Sequence, residues 1–177
     1  PLEVPFVVLS GWRMEEIAAS LPTSGLAAAP DAFLAAARTP LNFPFLEGVF
    51  ANEGFLLPDT YILPRSTDAN ALVEALVRNF AVHLTDELET GFANQNLTVY
   101  QAVILASMIE RESIVHDEMP YIASVFINRL NAGWKLESDP TVQYALGFGE
   151  NWWPNPLSSL DLEIDSPFNT YLVNGLP

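Results

Sequence analysis

Apolar residues in this chain fall into short runs and stripes with Gly, Pro and Asx residues between them, and their spacing predicts a succession of short elements. Val4 to Leu9, VPFVVL, predicts a buried strand, followed by a turn at Ser10-Gly11 and an amphipathic helix from Trp12 to about Leu21. Pro22 to Pro30 is loop. Asp31 is suited to cap a second short helix, DAFLAAA, ending near Arg38, and Pro40 to Pro44 breaks the pattern. In the Gly- and Pro-punctuated stretch from Phe45 to Pro64, TYIL reads as a strand whose neighbouring prolines disqualify it from the centre of a sheet. A longer helix opens at Ser66 to Asp68, with Leu72, Leu76, Phe80 and Leu84 repeating every fourth residue.

In the second half, Thr98 followed three residues later by Gln101 is a capping-box pattern, and the nearly all-apolar run from Ala102 to Ile109 lies inside the helix it opens. Met119 to Asn131 predicts another helix, with Ile122, Val125, Phe126 and Leu130 on its apolar face and Gly133 ending it. Trp134 to Leu136 reads as a short strand, Ser138 to Thr141 as a turn or N-cap, and Val142 to Leu146 as a brief helix. Asn151 to Pro156, NWWPNP, is loop, and Phe168 to Val173, FNTYLV, carries strand-favouring residues. The elements add up to an α+β protein: a small α+β lobe over residues 1–44, and a mostly helical core with short strands over residues 45–177.

Composition narrows the function classes. The chain has 177 residues, half of them hydrophobic, enough for one substantial core. Seven basic residues against twenty-two acidic ones, a formal charge of −15, argue against binding nucleic acid or an anionic membrane surface through phosphate contacts. There is no cysteine, so neither a disulfide framework nor a thiolate metal site is available. His83 and His116 lie in different segments without metal-ligand spacing, so no metal and no cofactor is expected. No apolar run approaches the ~20 residues that span a bilayer. The abrupt ends, Pro1-Leu2-Glu3 and Gly175-Leu176-Pro177, read as those of an excised fragment.

The candidate chemistry sits where the apolar helix ends. At about 100° per residue, Ala102, Leu105 and Ile109 share one stripe, and Glu112 falls at its lower end. Glu110 lies round the flank, nearer Val103 and Ser107. Burial disfavours the ionised form of a carboxyl group, which makes Glu112 the better candidate for a general acid. A Glu-x-Glu pair with Arg111 between is also what a solvated last helical turn looks like, and helix geometry alone leaves both readings open.

Six blocks decide between them. Ser10 to Ala18 (SGWRMEEIA), Glu53 to Tyr61 (EGFLLPDTY), Ala106 to Ser113 (ASMIERES), Ala123 to Leu130 (ASVFINRL), Ser138 to Gly147 (SDPTVQYALG) and Phe168 to Pro177 (FNTYLVNGLP) resemble, in order and spacing, the endolytic murein transglycosylases, the MltG or YceG-like family. The likeness runs over nearly the whole chain. Ser10 departs from the usual Glu of the first block, and Glu47-Gly48 offers a second placement for the Glu-Gly of the second. Family members begin with a membrane helix and a LysM-like region and continue past the last block, so the resemblance implies a catalytic domain over residues 45–177 truncated at its C-terminus.

The resemblance implies a lytic transglycosylase that cleaves the MurNAc-GlcNAc bond within peptidoglycan glycan strands, leaves 1,6-anhydroMurNAc ends, and terminates nascent strands. It maps the catalytic acid to Glu112, the residue that helix geometry favours. Supporting or substrate-binding candidates are Glu110, Ser113, Glu53, Asp139, Thr141, Gln143, Tyr144, Asn169, Thr170 and Tyr171. Asp139 is equally suited to capping a helix, and Asn169 and Thr170 to satisfying backbone groups at a strand end. Asn128 and Arg129 are expected to bind neighbouring protein acids, and Trp152 and Trp153 to form edge packing or a sugar-stacking rim. The implied partners are glycan strands and cell-wall synthases. The implied location is the extracytoplasmic face of the bacterial inner membrane, through an N-terminal anchor outside this chain. The alternatives are a hydrolytic muramidase, which needs a second carboxylate, and a non-catalytic peptidoglycan-binding module.

Overall fold

The computed structural model describes residues 2–177 and has the expected α+β character, with seven α-helices and one two-stranded sheet among those residues. It packs as two compact units, the first ending at Tyr100 and the second spanning Gln101–Pro177. No helix among the described residues is long and apolar enough to cross a membrane.

In the first unit, β1 (Glu3–Val8) pairs antiparallel with β2 (Asp59–Pro64), with Phe6 opposite Tyr61. Packing therefore runs across residue 44, the boundary expected from sequence. A two-stranded ribbon consists only of edges, which is why β2 tolerates its terminal proline. Val4, Phe6 and Val8 face the core while Glu3, Pro5 and Val7 are exposed, so β1 is buried on one face only, although its sequence reads as a fully apolar run.

Helix α1 (Met14–Ser20) buries Met14, Ile17 and Ala18. Helix α2 (Pro30–Ala37) is capped at Ala29, two residues before the expected cap: Pro30 takes the first helical position and Asp31 lies in the first turn, where its charge suits the helix dipole. Asn52, fully buried, closes the end of α2. Its Nδ2 donates to the carbonyls of Ala36, Ala37 and Thr39, and its Oδ1 accepts from Leu41 N. Helix α3 (Ala69–His83) is capped by Asp68, which accepts from Ala71 N at 2.9 Å. It buries Leu72, Val73, Leu76 and Val77 and packs on α2. Phe43, Phe45, Phe55, Phe80 and Tyr100 form a chain of ring contacts beside it. Helix α4 (Asp86–Asn94) follows, buries nothing, and was not anticipated.

Helix α5 (Val99–Glu112) carries a buried stripe of Ala102, Leu105 and Met108, with Ile109 only half-buried, so the stripe leans one residue away from the one predicted. The second unit continues with a short 3-10 turn (His116–Glu118) packed on α6 (Met119–Asn131), then α7 (Asp139–Leu146). Of the predicted apolar face of α6 only Phe126 is buried, and Val125 is exposed.

Two expected strands do not form. Trp134 to Leu136 is irregular chain, and Phe168 to Val173 is a stack of turns. The reason for the second is local. Asn169 N donates to Ser166 O, Leu172 N and Val173 N donate to Asn169 O, and the Asn169 side chain accepts from Tyr171 N. Those bonds occupy the backbone groups that a sheet ladder would use.

Candidate active site

Glu112 is the last residue of α5 and is half-buried. The chain turns away directly after it: Ser113 N donates to Ile109 O, and Ser113 Oγ donates to Val115 O at 2.7 Å. Ser113 thus shapes the exit of the helix. Across from it, Ser138 Oγ donates to Glu112 Oε1 at 2.6 Å. Ser138 occupies the N-cap position of α7, yet its side chain makes no cap bond. Its hydroxyl is turned to the acid instead.

Three buried hydroxyl residues fix this arrangement. Ser138, Thr141 and Thr170 are 1%, 4% and 0% exposed. Thr141 Oγ1 donates to Ser138 O at 2.7 Å, Ser138 N donates to Thr170 Oγ1 at 3.0 Å, and the two threonine hydroxyls lie 2.9 Å apart. Thr170 O accepts from Glu137 N at 3.1 Å, which ties the turn stack at 168–173 to the segment before α7. Glu137 has a left-handed backbone, φ 52°, uncommon for a side chain of this type. Arg129 Nη1 bridges its Oε2 at 2.7 Å and the carbonyls of Lys135 and Leu136. The expectation that Arg129 binds a protein acid holds, whereas Asn128 is exposed.

Beside this network, Tyr171 Oη donates to Asp139 Oδ1 at 2.7 Å. The Tyr171 phenol is pushed up to about 12, first by burial, then by the hydrogen bond and charge of Asp139, then by the charges of Glu112 and Glu137. A phenol felt by three carboxylates stays neutral and stays a donor. The predicted residues Glu112, Asp139, Thr141, Thr170 and Tyr171 therefore converge on one place.

The remaining predicted residues divide. Asn169 is fully buried and donates to the carbonyls of Leu162 and Ile164, so it serves the loop. Tyr144 packs edge-on to Phe168, with Trp153 beyond it, and the Arg111 guanidinium lies 3.8 Å over the Trp153 ring. One indole face is thereby taken by a cation–π contact and is closed to sugar stacking. Trp152, Gln143 and Glu110 are half-buried. Glu53 belongs to the first unit, where its Oε1 accepts from Met14 N at the start of α1. Ser138 and Glu137 were missed by the sequence reading. Ser138 was legible only as a helix cap, and nothing in its local sequence signals a contact 26 residues back.

No group of three or more His, Cys, Asp or Glu side chains among the described residues has the geometry to hold a metal ion. What the site offers is one carboxyl group with an anchored oxygen, a neutral phenol donor, and buried hydroxyls behind them. That equipment suits proton transfer to and from a neutral substrate.

Comparison with known proteins agrees in kind. The profile of the YceG-like family matches residues 2–177. The endolytic murein transglycosylase of Streptococcus pneumoniae (serotype 2, strain D39) is 34% identical over 125 residues, 70% of this chain and 22% of that protein. The protein of the same name from Bacillus subtilis strain 168 is also 34% identical over 125 residues, 70% of this chain and 33% of its own length. The chain thus matches a fifth to a third of these relatives. A crystal structure of the yceG-like protein lmo1499 from Listeria monocytogenes superposes with a TM-score of 0.81 at 27% identity, over 98% of this chain and 60% of that one.

Proposed function

The chain belongs to the YceG-like family, and from that membership we propose that it is the catalytic part of an endolytic lytic transglycosylase acting on peptidoglycan glycan strands, with Glu112 as acid and then base. The observation that carries this reading is the state of the Glu112 carboxyl group. It sits half-buried at a helix end, with Oε1 held by Ser138 and with no protein partner on Oε2 among the described residues.

The chemistry needs one such group. Glu112 delivers its proton to the glycosidic oxygen as the bond from MurNAc C1 breaks, and GlcNAc leaves with a free hydroxyl. The MurNAc C6 oxygen then bonds to C1, and its proton passes to the Glu112 carboxylate. Water is not consumed, and the acid is regenerated for the next cycle. Asp139 and the Tyr171 hydroxyl supply fixed polar groups near the charge that develops on the sugar. A hydrolytic muramidase needs a second carboxyl group to serve as nucleophile or to activate water. Two acids of the same network, Asp139 and Glu137, are instead committed to Tyr171 and Arg129.

The substrate class places the activity outside the cytoplasm. A membrane anchor elsewhere in the full-length protein and association with cell-wall synthases are part of the same proposal. The test is to incubate the full-length protein with glycan strands and identify the new ends by mass spectrometry. Anhydro ends are expected, and ordinary reducing ends would replace the lytic mechanism with hydrolysis. Glu112→Gln is expected to abolish cleavage, at least ~1,000-fold, with an unchanged thermal midpoint. Full activity in that variant would transfer the acid role to Glu110.

A further inference from the structure

Ser138 has no place in the chemistry above except through its hydroxyl proton, and the network around it determines where that proton goes. Thr141 has one hydroxyl proton, which it gives to Ser138 O. In the Thr141–Thr170 pair the donor must therefore be Thr170, whose own oxygen accepts from Ser138 N. Thr141 Oγ1 also accepts from Thr170 N at 3.3 Å. Every proton of the two threonines is then committed, and both backbone polar groups of Ser138 are clamped. The Ser138 hydroxyl is left with a single acceptor, Glu112 Oε1 at 2.6 Å.

We propose that Ser138 is the positioning residue of this site: by donating to Glu112 Oε1 it confines the acid's own proton to Oε2 and fixes the direction in which that proton is delivered. The inference rests on Glu112 being the acid. A carboxyl group whose Oε1 already receives a hydrogen bond carries its proton on the other oxygen, and rotation about the terminal torsion would break the 2.6 Å contact. After the proton has left, the same hydroxyl donates to a full carboxylate, where such bonds are stronger. Ser138 therefore supports the site more once the proton has been transferred than before, as a contribution to rate requires. The cost is visible at α7, which begins at a serine without a side-chain cap.

The experiment compares wild-type full-length protein with Ser138→Ala and Ser138→Thr on glycan strands, with the Glu side-chain carboxyl carbons labelled for NMR in parallel. Ser138→Ala is expected to lower kcat about ten- to a hundredfold with KM within about threefold, since misaimed groups lose rate on that scale. Ser138→Thr, which keeps the hydroxyl, is expected to recover most of kcat. In the alanine variant the Glu112 carboxyl signal moves while that of Glu110 does not. A role confined to packing predicts a loss that follows the thermal midpoint and is not rescued by threonine, and that result overturns the proposal. Should the threonine variant fail to fold, the NMR comparison decides: an unmoved Glu112 signal in Ser138→Ala shows that no bond was lost, and the proposal falls. Wild-type protein that makes no anhydro ends overturns the functional reading itself, whereas an active wild type with an indifferent Ser138→Ala variant overturns only the positioning role.

Discussion

Tyr171 shows how closely charges gather at the site. Its phenol donates to Asp139 and feels Glu112 and Glu137, and its titration is raised to about 12. A group whose proton is held more tightly in the folded state contributes stability that is complete below the unfolded value, about 10, and lost as pH climbs through the folded one. Stability should therefore decline between pH 10 and about 12. Tyr171→Phe should make that decline shallower, without abolishing it, because burial also raises Tyr61. Urea titrations at stepped pH check the slope, and ring-carbon NMR of Tyr171 checks the midpoint; a midpoint near 10 would mean that neither the burial of the phenol nor its Asp139 contact persists in solution. At this scale part of the site is legible in the sequence. Glu112 was legible because a helical stripe ends on it, and Asp139, Thr141, Thr170 and Tyr171 through the motif blocks that contain them. Ser138 opens the block that holds Asp139 and Thr141, but a serine before Asp-Pro reads as a turn or cap, and its actual acceptor is distant in sequence. Asn169 failed in the opposite sense: an amide in a motif suggested substrate, but two loop carbonyls already claim it.

At the scale of elements, the helices that bury a stripe were predictable, and those held by other means were not. Helix α4 has no buried residue, so a search for apolar periodicity passes over it. Its signals are polar: Thr85 accepts from Leu88 N at 3.3 Å, and Asp86, Glu87 and Glu89 crowd the first turn, where the dipole favours them. The unformed strands show the converse, since β-favouring side chains at 168–173 found no partner strand and the Asn169 turn bonds prevailed. Two glycines test the distinction between helix interior and helix end. Gly91 lies inside α4, and a Cβ there meets nothing within 4 Å, so Gly91→Ala should stabilise by about 0.5–1 kcal/mol. Gly133 ends α6 with φ +68° and is equally uncrowded, so Gly133→Ala should cost about 1–2 kcal/mol from backbone conformation alone. Denaturant midpoints of the two variants should move in opposite directions. A shift of the same sign in both would show that crowding, and not backbone preference, controls these positions.

At the scale of the molecule, the fold class was legible from the mix of helical stripes and short strands, but the division into compact units was not. It falls between Tyr100 and Gln101, inside the continuous helix α5, where no Gly, Pro or polar linker marks a boundary. Charge is the property that composition does set. Seven basic residues face twenty-two acidic ones, and ion pairs among the described residues include Arg13 and Arg38 sharing Glu15, Arg78 with Glu74, and Arg129 with Glu137. An exposed pair such as Arg78–Glu74 is worth at most about 1 kcal/mol, and salt weakens it, whereas Arg13 and Glu15 are largely buried and screened less. The excess of acids over bases repels itself, and salt weakens that repulsion too. Because acidic residues outnumber basic ones by twenty-two to seven, the second effect should win. Raising sodium chloride from about 0.01 to 0.1 M shortens the screening length from about 30 to about 10 Å, which reaches repulsions across the surface before it touches pairs in contact. The thermal midpoint should therefore rise, by about 2–4 °C if roughly 1 kcal/mol of repulsion is relieved. Calorimetry across that salt range reads the sign directly, and a falling midpoint would mean that ion pairs, and not the acidic surface, govern the response.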